Sequence, residues 1–247
     1  MWNDLGIGRV GLYLPKLEAT GVSTSVDRVR AAGLSVSTIA CRGFVLDEPE
    51  TWPAQLPALE AAVDAAAALD ADCLFVTAGA PGPLGWDECV DALRRSLEPL
   101  KARAAAAGVP IAVEHTNPMR REVGFIHTLR DMVEVARDLD IGVVVEITNC
   151  FFERGVEQTL AEGVDTFRVV QVSDYVVGTL TASERAVPGD GDIPLARLIG
   201  VLDDAGYGGS YELEMLGPRI EEEGYRPAIA RGIVALEALL PAASAKT

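Results

Sequence analysis

The chain has 247 residues, with 37 Asp or Glu against 21 Lys or Arg, and its formal net charge is −16. This charge argues against binding of nucleic acid, whose phosphates require clusters of Lys and Arg. The chain has no apolar segment long enough to span a membrane and no basic N-terminal region typical of a signal peptide, so a soluble cytoplasmic protein is expected. The four cysteines are widely spaced and form no zinc-binding pattern.

Short β-branched runs alternate with longer helical stretches along the whole chain. Strands are predicted at residues 9–13, 34–40, 73–78, 110–114, 142–147, 166–172 and 210–214. Helices are predicted at residues 25–32, 52–69, 86–107, 125–139, 153–162, 194–205 and 226–240. This repeated βα unit indicates a parallel sheet. The pattern continues without a linker, so residues 1–247 are expected to form a single domain with a frayed tail at 241–247.

Several predicted strands are apolar at successive positions, as parallel strands are when both of their faces are buried. A (β/α)8 TIM barrel and an open doubly wound sheet both fit this pattern. The sequence has no glycine-rich nucleotide-binding motif, and its absence favours the α/β barrel. Only seven βα units are evident, so the first strand of an eight-stranded barrel is predicted to be missing.

Polar side chains lie at the ends of the last four predicted strands. Glu114, Glu146, Gln171 and Glu214 each come at or near the point where one of these strands ends. Active sites of TIM barrels form at this rim. Three carboxylates brought together there would repel one another, and a divalent cation would relieve the repulsion. Because all four side chains offer oxygen atoms, Mn²⁺ or Mg²⁺ is the expected ion.

The same strand ends carry a resemblance to a known family. The segments 114–118, 146–149 and 171–174, with the stretch from Val187-Pro-Gly-Asp-Gly-Asp through Gly206-Tyr-Gly-Gly to Glu214, resemble the xylose-isomerase-like TIM barrels. These include sugar-phosphate isomerases and epimerases, ketose 3-epimerases, hydroxypyruvate isomerase, inosose dehydratase and 3-dehydroshikimate dehydratase. The resemblance begins at the family's second strand, which implies that the first strand is the missing one.

The resemblance implies that Glu114, Glu146, Gln171 and Glu214 are metal ligands. It also implies that Glu114 and Glu214 are the catalytic acid and base. Most members have Asp where this chain has Glu146, and His where it has Asn149. The seventh-strand ligand is most often His, and Gln171 resembles the Gln of hydroxypyruvate isomerase and bacterial dehydroshikimate dehydratases.

Further residues are predicted to contact substrate, and they are His115, Asn117, Asn149, Arg185 and Glu212. Arg185 would suit an anionic group, with a surface salt bridge as its alternative role. Packing remains an alternative for His115, and a turn role remains one for Asn117. Glu212 comes two residues before Glu214, so both side chains should point into the barrel, with Glu212 roughly 6.6 Å deeper. It could therefore lie behind the ligands or pair with an Arg.

His127 and the acidic run at 221–223 are expected to lie away from this site. His127 is predicted to be a partly buried residue of the helix at 125–139, and the acidic run at 221–223 is predicted to be a solvated turn.

These observations favour a divalent-metal-dependent isomerase or epimerase of a sugar or polyol ketone. A metal-dependent dehydratase would use the same proton abstraction and remains an alternative. A second alternative, a metal-free relative that binds a carbohydrate or serves as an enzyme subunit, is motivated by the missing strand, Glu146 and Asn149. The expected partner is a small molecule, with neither nucleic acid nor membrane, and the seam left by a missing strand would favour a homodimer.

Overall fold

The computed structural model describes residues 2–179, 181 and 184–240, so the predicted tail at 241–247 lies outside the described residues. Seven parallel strands form one sheet that curls into a nearly closed barrel, in agreement with the predicted TIM-barrel class. In chain order, which is also their order in the sheet, the strands are β1 (Arg9–Tyr13), β2 (Ser35–Cys41), β3 (Cys73–Thr77), β4 (Ile111–Glu114), β5 (Gly142–Glu146), β6 (Phe167–Val172) and β7 (Ser210–Leu213).

Helices connect the strands and cover the outer face of the sheet. They are α1 (Leu14–Thr20), α2 (Val22–Ala31), α3 (Trp52–Leu69), α4 (Trp86–Ala107), α5 (Leu129–Leu139), α6 (Ile147–Cys150), α7 (Val156–Gly163), α8 (Leu195–Asp204), α9 (Pro218–Glu223) and α10 (Tyr225–Leu239). No helix within the described ranges combines the length and the apolar character needed to cross a membrane.

Two predicted segments need correction. Helix α5 begins at Leu129 rather than at residue 125, because Thr128 caps it by accepting a hydrogen bond from the backbone N–H of Asp131 at 3.1 Å. His127 therefore precedes the helix, and its Nδ1 lies 2.9 Å from the carbonyl oxygen of Thr116. The acidic run at 221–223 is solvent-exposed, as predicted, but it belongs to α9 rather than to a turn.

Polar contacts connect the two edges of the barrel. In the described part of the chain, no backbone hydrogen bonds join β1 to β7. Asp72, which precedes β3, accepts hydrogen bonds from Arg9 of β1 and from the Ser210 hydroxyl of β7, the latter at 2.9 Å. Asp72 thus links both edge strands at the N-terminal end of the barrel.

An apolar cluster fills part of the barrel interior below the strand ends. Cys73, Phe75, Ala112, Val144 and Val169 form a small buried cluster, separate from the large core between the sheet and the helices. Neighbouring residues of the same strands, such as Val143, Val145 and Val170, belong to the large core. Because side chains alternate between the two faces of a strand, the small cluster identifies the inward-facing positions.

Candidate functional site

The inward-facing positions continue directly into the predicted ligands. Ala112 is followed two residues later by Glu114, Val144 by Glu146, and Val169 by Gln171. Glu146 is also the register neighbour of Gln171, and Gln171 is that of Glu212 on β7. Side chains alternate between the two faces of a strand. The two-residue spacing that places the small apolar cluster inside the barrel therefore also directs these polar side chains to its mouth.

Glu146 is completely buried at the junction of β5 and α6. Its Oε1 accepts hydrogen bonds from the backbone N–H of Thr148 at 2.9 Å and from the Thr148 hydroxyl at 2.7 Å. Its Oε2 accepts no hydrogen bond from the residues that the structure describes. One oxygen therefore caps the short helix, while the other lies 3.6 Å from Nη2 of Arg185.

Arg185 lies against two of the predicted metal ligands. Its Nη2 is 2.9 Å from Oε2 of Glu214 and 3.6 Å from Oε2 of Glu146, and its side chain is only 8% exposed. The predicted surface salt bridge is thus a buried one, and a positive charge already partly neutralises the acids at the strand ends.

The carboxyl groups around Arg185 differ in their acidity. Burial, reinforced by the charge of Glu214 and opposed by Arg185, raises the pKa of Glu114 to about 8. Burial also raises the pKa of Glu146 well above its usual range, although Arg185 opposes this. Burial would raise the pKa of Glu214 too, but the charge of Arg185 and hydrogen bonds with Glu146 and Arg185 lower it below its usual value. Arg185 therefore favours the ionised form of Glu214, whereas burial disfavours that of Glu114 and Glu146.

Glu212 lies one layer deeper than Glu214 and has no Arg partner among the described residues. Its Oε1 accepts hydrogen bonds from the hydroxyls of Ser37 and Thr38 on β2, the latter at 2.8 Å. Its Oε2 lies 3.4 Å from Nε2 of Gln171. The interpretation that Glu212 pairs with an Arg is wrong, because neutral donors from β2 and β6 reach the carboxylate instead.

The remaining predicted substrate contacts are His115, which is buried, and Asn149 and Asn117, which are hydrogen-bonded within the protein. His115 is fully buried, both ring nitrogens lack hydrogen-bond partners within the described ranges, and burial lowers its pKa to about 4. Asn149 donates from Nδ2 to the carbonyl oxygen of His115 at 3.0 Å. Asn117 accepts a hydrogen bond from the backbone N–H of Met119, also at 3.0 Å. The structure therefore brings Arg185 and Glu212 to the ligand set, while His115 and Asn149 support the wall of the barrel.

Asp174 organises the loop that carries Arg185, a role that the sequence analysis missed. Its Oδ1 accepts hydrogen bonds from the backbone N–H of Tyr175 at 2.8 Å and of Ile193 at 3.0 Å. Its Oδ2 accepts one from the N–H of Gly189 at 2.9 Å, and its backbone pairs with Ala186 in an antiparallel bridge. The Asp just after a strand and before a Pro-Gly turn was the signal that could have identified it.

A cavity of about 270 Å³ opens beside the acids, at the low end of the range for small-molecule pockets. Its lining includes Arg185, Thr148 and Asn117 together with the aromatic rings of Phe151, Phe152 and Tyr175. The cavity thus combines one charged group with an aromatic wall. A second cavity of equal volume lies between α4 and the end of α5, and none of the strand-end acids lines either cavity.

The donor chemistry of the strand ends fits a hard divalent cation. Oε2 of Glu146 and Oε1 of Gln171 are buried oxygens without hydrogen-bond partners in the described part of the chain, and Glu114 and Glu214 add two carboxylates. As the side chains stand, no three His, Cys, Asp or Glu of the described residues are grouped closely enough to hold a metal. A metal ion at these oxygens would have to share Glu214 with Arg185.

Comparison with known proteins agrees with this architecture. No curated protein sequence matches the chain. Solved structures do: protein SMc04130 from Sinorhizobium meliloti 1021 is 23% identical, with a TM-score of 0.83 over 97% of this chain and 90% of that one. The 3-keto-D-glucoside 4-epimerase YcjR from E. coli is 20% identical, with a TM-score of 0.75 over 94% and 91% of the two chains.

A further structure, the IolI protein with a bound zinc atom, is 15% identical, with a TM-score of 0.81 over 97% of this chain and 90% of that one. At these identities the likeness shows the shared fold. Residues 4–233 match the family described as xylose isomerase-like TIM barrel, which covers nearly the whole chain. The chain therefore belongs to the xylose isomerase-like TIM barrel family.

Proposed function

We propose that the chain is a divalent-metal-dependent isomerase or epimerase that acts on a small sugar or a sugar-like hydroxyketone. The observation that carries this proposal is the set of inward-facing strand-end oxygens, two of which are buried without a hydrogen-bond partner among the described residues. The similarity to a 3-keto-glucoside epimerase and to a zinc-binding protein supports this choice of reaction and of cofactor.

Glu114, Glu146, Gln171 and Glu214 would hold Mn²⁺ or Mg²⁺. When bound there, such an ion would polarise a carbonyl group of the substrate and so ease the loss of a proton from the neighbouring carbon. The glutamates supply the proton transfer: one of Glu114 and Glu214 takes the proton, and the other returns it. Return to the opposite face of the same carbon is epimerisation, and return to the adjacent carbon is isomerisation.

The cavity would position the substrate for this transfer. Arg185 lines the cavity and contacts Glu214, so its guanidinium can bind a substrate oxygen next to the proton-transferring carboxylate. Phe151 and Tyr175, whose ring centroids are 6.3 Å apart, form part of the wall that excludes water from the reacting carbon.

The decisive experiment is incubation of the Mn²⁺-loaded protein in D₂O with a panel of ketoses and polyol ketones, followed by NMR. Deuterium at the carbon next to the carbonyl of recovered substrate or product is the expected result. Loss of water without such exchange would instead identify a dehydratase, and absence of exchange from the whole panel would contradict the proposal.

A metal-free relative that binds a carbohydrate is a second candidate, favoured by the contact between Arg185 and Glu214. In that case the guanidinium alone would balance the charge of the acids. Elemental analysis of the purified protein, together with titration of dialysed protein with Mn²⁺, separates the two candidates. Saturable binding of one ion supports the metal-dependent enzyme, and absence of binding supports the metal-free relative.

A further inference from the structure

A glutamine can bind a cation through only one end of its amide. The oxygen Oε1 is an acceptor that a cation attracts, whereas the Nε2 group carries two hydrogens and would repel it. The two ends have nearly the same shape, so packing alone does not choose between them. A metal ligand at position 171 therefore needs a neighbour that fixes the amide's orientation.

Glu212 is placed to be that neighbour. It is the register partner of Gln171 across β6 and β7, and its Oε2 lies 3.4 Å from Nε2 of Gln171. The other end of the amide, Oε1, is buried and has no partner among the described residues. Gln171 also has Glu146 as its register neighbour on the opposite side. With Nε2 bound to Glu212, Oε1 is directed away from Glu212.

We infer that Glu212 is a positioning residue, which binds the amide nitrogen of Gln171 and thereby presents the amide oxygen to the cation held by the strand-end acids. This inference rests on the proposed function, because that function identifies the ligand as a cation. It gives Glu212 a role that is not substrate contact, because the carboxylate acts through Gln171.

The barrel holds the Glu212 carboxylate in one place. The hydroxyls of Ser37 and Thr38 both donate to Oε1, which leaves Oε2 for Gln171. Gly11 on β1 makes room for the carboxylate, since a Cβ at that position would lie 2.8 Å from Oε1 of Glu212. Groups on three strands, β1, β2 and β6, thus surround the carboxylate of Glu212 on β7.

A carboxylate is the group that this task needs. It offers only acceptors, so it selects the NH₂ end of its neighbour, whereas an amide at position 212 could present either end. Residues that orient metal ligands in this way commonly change metal affinity by about 10- to 100-fold when they are replaced.

The test compares Mn²⁺ binding by wild type, Glu212→Gln and the swap Gln171→Glu/Glu212→Gln, using electron paramagnetic resonance of the free ion. Glu212→Gln keeps the shape of the side chain, and we expect it to weaken Mn²⁺ binding about 10- to 100-fold. The swap keeps the net charge and places a carboxylate at position 171, which offers oxygen in either orientation. We expect it to restore affinity close to that of wild type.

Thr38→Val is the matched control, because it removes a donor to Oε1 of Glu212 and leaves Oε2 unchanged. It should lower stability and weaken Mn²⁺ binding much less than Glu212→Gln does, because Ser37 still donates to Oε1 of Glu212. Equal weakening by Thr38→Val and Glu212→Gln would overturn the inference, since general loosening of the site would then explain both. The inference would also be overturned if Glu212→Gln bound Mn²⁺ as tightly as wild type. The same holds if the double variant Gln171→Glu/Glu212→Gln bound Mn²⁺ as weakly as Glu212→Gln.

A second measurement separates this inference from the proposed function. In metal-free protein, the side-chain NH₂ signals of Gln171, assigned by their loss in Gln171→Glu, should be protected from exchange with water. In Glu212→Gln they should shift and exchange faster. If the wild-type protein binds no Mn²⁺, the proposed metal-dependent function is wrong. If the NH₂ signals of Gln171 are the same in wild type and in Glu212→Gln, the positioning role of Glu212 is wrong, whether or not the metal binds.

Discussion

Glu212 and Glu214 lie two residues apart at the end of β7, and the protein accommodates them by different means. Glu212 receives hydrogen bonds from neutral groups of neighbouring strands, namely Ser37, Thr38 and Gln171. Glu214 instead contacts the guanidinium of Arg185, which a loop carries. The inner acid is therefore bound by neutral hydroxyl and amide groups of the strands, and the outer acid by a charged group on a loop.

The largest expected effect is that of Glu214→Gln on catalysis. If Glu214 transfers a proton as proposed, its removal should reduce solvent deuterium exchange into the substrate by about 100- to 10,000-fold. NMR of the recovered substrate gives the rate. Glu221→Gln, an exposed change in α9, is the control and should exchange as fast as wild type. Exchange that persists in Glu214→Gln would mean that the outer acid is not part of the chemistry.

A large loss of stability is expected from Arg185→Met. The change leaves Glu214 and Glu146 without their cation, which should cost about 3 kcal/mol of unfolding free energy in urea. The double variant Arg185→Met/Glu214→Gln should recover part of that loss. Arg197→Met breaks an exposed pair with Glu157 and should cost less than about 0.5 kcal/mol. If Arg185→Met and Arg197→Met lowered the unfolding free energy equally, the buried ion pair would contribute no more to stability than the surface pair.

The inner acid should be sensitive to its neutral donors. Thr38→Val removes a hydroxyl that donates to Oε1 of Glu212 at 2.8 Å while keeping the shape of the side chain. A hydrogen bond to a buried carboxylate is worth about 1.5 to 2 kcal/mol, and the urea midpoint should fall accordingly. A midpoint equal to that of wild type would show that Glu212 does not depend on β2.

The smallest effect should come from Gly11→Ala. A Cβ there would lie 2.8 Å from Oε1 of Glu212 and 3.0 Å from the Thr38 hydroxyl, so both groups must shift. We expect a loss of about 1 kcal/mol in urea unfolding. Gly8→Ala is the control, because a Cβ at Gly8 would have no other atom within 4 Å. If the two variants have the same stability, the interior around Glu212 is looser than the hydrogen bonds indicate.

Most of the fold could be predicted from the sequence because its signals are local. Buried apolar runs marked the seven strands, and the helices at 52–69 and 86–107 match α3 and α4 exactly. The prediction was wrong where capping or short helices decide the structure, as at Thr128 before α5. The short helices α1 and α9 were missed because few apolar positions are available to show a helical period.

The candidate site was predictable only in part. Glu114, Glu146 and Gln171 could be placed at the rim because each continues the inward parity of its own strand. The contacts that control them could not be predicted, since they join residues far apart in sequence. Glu212 meets its partners in β2 across 174 and 175 positions, and Arg185 meets Glu214 across 29. These contacts exist only once the sheet has curled.

The position of Asp174 has a consequence for how this protein can diversify. One side chain accepts hydrogen bonds from the backbone N–H groups of Tyr175 and Ile193, so Asp174 joins the start of the loop after β6 to its end. Arg185 and Tyr175, which line the cavity, are both carried by it. Substitutions in this loop that leave Asp174 and its backbone partners in place would therefore change the lining of the cavity without changing the strands or the acids at their ends.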